Sequence, residues 1–226
     1  MSEIDIVEHL RRLLPPRISA LPIDPQRGLP VPWFVAWIDG KPDFRVVDKG
    51  KFDEAIKFKR CWVCGQQLGR NVTFPLGPMC GITRTTAEPP CHRECAVYSA
   101  EACPFLTKTQ MHRRDKGLPE GAVEPPGVFL RRNPGVTLLW TCREFTFFRD
   151  RRQGITMSRG GTLIRVGEPT EVLWYCQGRA ATRAEVDASV ESGLPLLGAE
   201  EEGPEAVAAL GRLLEVARKL MPAAAP

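Results

Sequence analysis

The spacing of hydrophobic and polar positions changes several times along the chain, and each change predicts an element. From Ile4 to Leu14, apolar residues at 4, 6, 7, 10, 13 and 14 approximate one helical face, which Pro15-Pro16 stops. Arg17 to Pro32 carries prolines at 22, 25, 30 and 32, so it reads as an ordered connector; proline lacks the amide that a regular element needs. Trp33 to Ile38 and Asp43 to Val47 are rich in aromatic and β-branched residues and flank Asp39-Gly40. That combination predicts a hairpin whose turn glycine takes a positive φ. Lys51 to Lys59 predicts a short helix with Phe52, Ile56 and, at its end, Phe58 turned inward.

Leu68 to Pro78 predicts a second, hairpin-like excursion, because Val72, Phe74 and Leu76 alternate with small or polar residues. Gly77-Pro78 turns the chain, Arg84 to Pro90 is a polar loop, and His92 to Ala102 suits a helix ended by Cys103-Pro104. Beyond a polar connector from Thr107 to Gly127, strands are expected at Val128–Arg131, Val136–Phe148 and Thr162–Val166, with Gly160-Gly161 as a turn. The tail reads as helical at Glu171–Gln177, at Arg183–Ser192 behind a Thr182 cap, and at Pro204–Leu220 before Pro222. The expected fold class is α+β: small antiparallel strands and hairpins, a treble-clef-like zinc module and a helical C-terminal tail. Three segments follow: 1–60 with the N-terminal helix and hairpin, 61–106 with the metal module, and 107–226 with strands and then helices.

Composition narrows this picture in two respects. Twenty-one prolines and twenty glycines in 226 residues predict short elements and many turns rather than a helical bundle. A net charge of +4 with nearly balanced acids and bases neither demands nor excludes a nucleic-acid partner. No apolar run approaches the ~20 residues needed to span a bilayer, so no membrane partner is expected. Met-Ser-Glu-Ile-Asp at the start is acidic, without the apolar core of a signal peptide. A cytoplasmic location is therefore expected. In that reducing compartment clustered cysteines serve as metal ligands more often than as disulfides.

Six of the eight cysteines and one of the three histidines lie between Cys61 and Cys103. Cys61-Trp62-Val63-Cys64-Gly65 has the form of a zinc knuckle, in which glycine relieves the tight turn and lets backbone amides face the sulfurs. His92-Arg93-Glu94-Cys95 places two donors three residues apart, on one face of a helix start where the helix dipole favours thiolate. Cys61, Cys64, His92 and Cys95 are thus the candidate ligands of one structural Zn2+ ion. Cys80 could replace His92 to give four cysteines, a set that zinc also accepts. Cys91 adjoins His92, so both can hardly bind the same ion. Cys142 and Cys176 sit in apolar contexts as core residues, and neither His9 nor His112 is assigned a role.

Four protein ligands leave no open position for a catalytic water, and the chain carries no phosphate-loop or nucleophile-elbow motif. His92-x-Glu94 matches half of a zinc-deaminase signature, but the only Cys-x-x-Cys lies upstream, in the wrong order. Binding is therefore favoured over catalysis, with nucleic acid or protein as the undecided partner. Lys57, Lys59, Arg60, Arg70, Arg84, Arg113-Arg114, Arg131-Arg132 and Arg149 to Arg152 are the basic candidates, and Trp62, if exposed, could stack on a base. The alternative is a metal-dependent, HNH-like nuclease built on the treble clef.

Cys-Trp-Val-Cys-Gly at 61–65, Gly-Pro-Met-Cys at 77–80, Glu-Pro-Pro at 88–90, His-Arg-Glu-Cys at 92–95 and Cys-Pro-Phe-Leu at 103–106 resemble an uncharacterised bacterial, phage-associated family of cysteine-rich proteins. The resemblance extends to Asp39-Gly-Lys-Pro-Asp-Phe-Arg45 and Arg131-Arg-Asn-Pro-Gly-Val136, and so to most of the chain. In the family pattern a serine stands where this chain has Cys91, which disfavours Cys91 as a ligand. The family has no established activity, so the resemblance implies relatives without a function.

Overall fold

The computed structural model describes residues 14–114, 116–118, 132–149, 162–198 and 204–223. The helix expected before Leu14, the strand at 128–131 and the turn at 160–161 lie outside the described residues. In chain order the first elements are α1 (Pro16–Ser19), β1 (Val35–Ile38), β2 (Lys41–Val47), α2 (Lys51–Lys57), β3 (Val72–Leu76), α3 (Pro78–Thr83) and β4 (Thr85–Thr86). There follow α4 (Arg93–Ala102), α5 (Pro104–Thr107), β5 (Thr137–Cys142), β6 (Phe145–Arg149), β7 (Thr162–Val166), β8 (Pro169–Cys176), β9 (Arg179–Ala180), α6 (Arg183–Gly198) and α7 (Pro204–Arg218). The class is mixed α+β with small antiparallel sheets.

β1 and β2 form the expected hairpin. Asp39 and Gly40 turn it with φ of 49° and 74°, the two positive values that a two-residue loop needs to match strand twist. In α2, Phe52 and Ala55 are buried and Ile56 partly so. Phe58 was expected inside and is instead 48% exposed. The helix stops at Lys57 and the chain turns through Lys59 at a φ of 48°, which leaves the Phe58 ring outside under the charges of Lys57 and Arg60.

β5 is the centre of the fold. It is buried at every residue and lies between β3 and β8 in a four-stranded sheet of order β3-β5-β8-β9. Leu68 to Pro78 therefore does not close a hairpin on itself. It supplies one strand, β3, whose partner β5 lies 68 positions on (Thr73 opposite Thr141). Buried Phe74 sits opposite buried Trp140, so side-chain packing across this pair sets the register. The segment Glu171 to Gln177, expected as helix, is strand β8 as far as Cys176 and turns at Gln177, whose φ is 53°. Val172, Trp174 and Tyr175 suit a strand, and six residues of β8 paired along β5 outweigh a weak helical period.

A second sheet, of order β4-β7-β6, carries Phe145 against Phe74 at 5.4 Å between ring centroids, which ties the sheets together. Helix α4 packs on β3, β5 and β8, and α3 touches both α6 and α7. Thr182 and Glu185 cap α6 reciprocally: each side chain accepts the other residue's amide N–H. No described helix is long and apolar enough to cross a membrane.

Candidate metal centre

The knuckle is built by backbone hydrogen bonds. Arg60 and Gln67 pair across it; the Cys61 amide donates to the Gln66 carbonyl, and the Gly65 amide to the Cys61 carbonyl, both at 2.8 Å. Glycine is required at 65 for two reasons. Its φ is +72°, and a Cβ there would stand 2.6 Å from ring carbons of Trp33. Arg60 braces the turn by donating to the Gly65 carbonyl at 2.9 Å and pairing with Glu54 at 3.2 Å.

The second pair of donors arrives from β3. Cys91 exchanges both backbone hydrogen bonds with Thr73, at 2.8 and 2.9 Å, so the sheet that holds β3 also positions the residue before His92. His92 is the extended N-cap of α4, and Cys95 lies in its first turn. The Trp62 amide donates to the Pro90 carbonyl at 3.0 Å, drawing knuckle and helix start together.

Sulfurs of Cys61, Cys64 and Cys95 and a ring nitrogen of His92 all lie within 4.8 Å of one another. His92 Nδ1 is 3.4 Å from Cys64 Sγ and 4.0 Å from Cys95 Sγ. Tetrahedral zinc with ordinary bond lengths places such atoms ~3.5 Å apart, which these two distances bracket. His92 Nε2 is 3.0 Å from the Gln67 carbonyl. A carbonyl only accepts, so Nε2 carries the proton and Nδ1 turns a bare lone pair toward the sulfurs. Cys61 Sγ accepts amide hydrogens from Cys64 at 3.5 Å and His92 at 3.4 Å. The donors therefore fit a metal ion, and among the described residues this is the one His, Cys, Asp and Glu cluster close enough to hold one.

Electrostatics agree with that geometry. Hydrogen bonds from the thiols of Cys64, Cys91 and Cys95 hold Cys61 far below the usual thiol range despite its burial. The same Cys61 sulfur pushes Cys64 up to about 11 and drives Cys95 higher still. Cys61, which also accepts two amide hydrogens, is therefore the sulfur of the cluster that most favours negative charge.

Protein-family models, curated proteins and solved structures give no match to this chain.

The remaining candidates fall elsewhere. Cys80 is not among the four, and burial raises its thiol to about 11. Cys91 is buried beside Cys61; its thiol is pushed well up by the Cys61 sulfur and by burial, and it stays outside the cluster. Cys142 and Cys176 are core residues, and His112 is exposed on a loop, with Nδ1 donating to the Gln110 carbonyl. Trp62 is buried and not available to a base: its ring stacks on Phe34 at 4.8 Å and meets Trp33 and Phe52 edge-on. Arg84 pairs with Glu168, Arg93 with Glu171, and Arg113 donates to the Arg45 carbonyl. Arg131, Arg151 and Arg152 lie outside the described residues. Sequence reasoning missed the Gln67 carbonyl, and no residue-type signal could have found it, because any residue supplies a carbonyl.

Proposed function

We propose that this chain is a structural zinc protein in which Cys61, Cys64, His92 and Cys95 hold one ion in a treble-clef arrangement, and that the assembled module binds a macromolecular partner. The observation that carries this reading is the convergence of four donors from a knuckle and a helix start. Four protein ligands close the tetrahedron, so the ion cross-links Cys61–Gly65 to the start of α4 and leaves no site for an activated water. The energy of metal binding then becomes folding energy for the segments it joins. The partner is nucleic acid or protein. A nuclease built on the same clef needs a histidine base beside a second ion. Among the described residues His112 is the one histidine besides His92, and it belongs to no cluster.

Elemental analysis of the purified protein and of three variants tests the metal reading. About one zinc per chain is expected, lost in Cys64→Ser and His92→Ala and kept in Cys80→Ser. Zinc kept in His92→Ala and lost in Cys80→Ser would move the site to four cysteines, and no metal in the parent protein would remove it. Plasmid DNA and RNA incubated with magnesium or manganese test the nuclease. Salt-sensitive binding without cleavage supports a nucleic-acid partner, and a null in both assays leaves a protein partner.

A further inference from the structure

A cleft of about 620 Å³ opens between the β1–β2 hairpin and the chain at residues 114, 116 and 117. Among the described residues five cationic side chains line it, against one carboxylate, that of Asp43. Two of the five are engaged in structure. Arg45 grips Asp43 through Nε at 2.8 Å and Nη2 at 2.6 Å, and donates to the carbonyls of residues 114, 116 and 117 at 3.1–3.3 Å. It acts as a strut that fixes the loop to the hairpin. Arg27 pairs with buried Asp24 at 2.8 Å and lies over the Phe44 ring at 5.3 Å.

The other three, Lys41, Arg114 and Lys116, are exposed and have no ion-pair partner among the described residues. They converge because the strut holds the loop backbone and the Asp39-Gly40 turn delivers Lys41. The cleft also has apolar walls from Ile38, Pro42 and Phe44. A predominance of charge of one sign in a concavity with low-dielectric walls focuses the field and concentrates counter-ions of opposite sign. Guanidinium and ammonium groups held together are the donors that phosphate oxygens accept from best.

We propose that this cleft binds the phosphate groups of a nucleotide, whether free or within a single-stranded nucleic acid, through Lys41, Arg114 and Lys116. None of its residues is a candidate metal ligand, so this site and the metal reading stand or fall separately.

The test uses the full metal-loaded chain and the triple variant Lys41→Gln/Arg114→Gln/Lys116→Gln. Arg45 and Asp43 are kept so that the strut remains, and unchanged zinc content and melting temperature show that the fold is intact. Binding of a fluorescent oligothymidylate is followed by anisotropy between 50 and 200 mM salt, with sodium triphosphate as competitor. Three phosphate contacts on a single strand predict a slope of about −2 in log affinity against log salt, absent from the variant. Affinity at the lower salt should fall at least ~10-fold in the variant. Oligothymidylate binding lost in the variant assigns the phosphates to a strand; triphosphate binding alone, lost in the variant, assigns them to a free nucleotide. Equal affinities in parent and variant, or no binding of either probe, would overturn the site. So would competition by oligoglutamate but not by triphosphate, which would indicate an acidic protein partner.

Discussion

The amide of His92 donates to the Sγ of Cys61 across 3.4 Å, although 31 residues separate the two in sequence. The Cys64 amide meets the same sulfur at 3.5 Å from within the knuckle. Cys61 thus receives one N–H from its own turn and one from the start of α4, where the helix dipole adds partial positive charge. It is the sulfur best prepared to be negative before any ion arrives.

Zinc titration at neutral pH should accordingly release fewer than three protons per ion, mainly from Cys64 and Cys95, because both of those thiols are raised while Cys61 is held low. Apparent affinity should fall as pH falls, since protons and metal compete for the same sulfurs. Calorimetry in buffers of different ionisation enthalpy reads the count. A release close to three would show that Cys61 keeps its proton in the free protein.

Gly65→Ala should destabilise the knuckle from both directions. A left-handed backbone costs a non-glycine residue about 1–2 kcal/mol, and the new Cβ would displace Trp33 from 2.6 Å. That ring packs edge-on against Trp62 and lies under the Lys51 ammonium at 4.3 Å. Urea denaturation of the metal-loaded protein measures the loss. In a Gly65→Ala/Trp33→Leu double variant the combined loss should be smaller than the sum of the two single losses. Strict additivity would mean that the ring is not what the methyl group meets.

Thr73 and Thr141 share a hydrogen bond of 2.9 Å between buried hydroxyls at directly paired positions of β3 and β5. Thr73→Val should cost ~1–3 kcal/mol, because it strands the Thr141 hydroxyl away from water. Changing both residues to valine removes donor and acceptor together and should recover most of that loss. Equilibrium unfolding of the two variants decides. A double variant no more stable than the single one would show that the hydroxyls are satisfied elsewhere.

Glu185 gives a pH dependence of definite sign. Hydrogen bonds from Arg179 and from the Thr182 amide depress its carboxyl from 4.5 to about 2. A depressed carboxyl stabilises the fold above the unfolded value, and that contribution fades as pH falls from about 4.5 toward about 2. The stability difference between the parent protein and Glu185→Gln should be constant above pH ~5 and shrink below it. Loss of metal in acid affects both proteins alike, so the difference isolates this carboxylate. Added salt should weaken the exposed Arg179 pair and leave the cap to Thr182.

Local chemistry is where the sequence was most legible. Asp39-Gly40 announces its hairpin because glycine tolerates the positive φ that the turn demands. Cys61-x-x-Cys64-Gly65 announces a knuckle, and Thr182 with Glu185 a helix start, since each depends on atoms a few residues apart. Long-range pairing was not legible in the same way. Phe58 and Trp62 are both large aromatics beside basic residues, yet Phe58 is exposed and Trp62 is sealed, because Trp33 and Phe34 from before β1 and Phe52 of α2 pack on Trp62.

By itself, then, the sequence determined the mixed α+β class, the turns, the caps and the two half-sites of the metal cluster, all of which rest on short-range backbone geometry. The tertiary structure decided what those pieces meet. It made 171–176 a strand by pairing β8 with β5 and joined β3 to that same β5 rather than to its own neighbour. It also brought His92, and not Cys80, to the three sulfurs through the Thr73–Cys91 bridge. Strand pairing and ligand convergence join residues far apart in sequence, and the periodicity of a single segment carries no information about its distant partner.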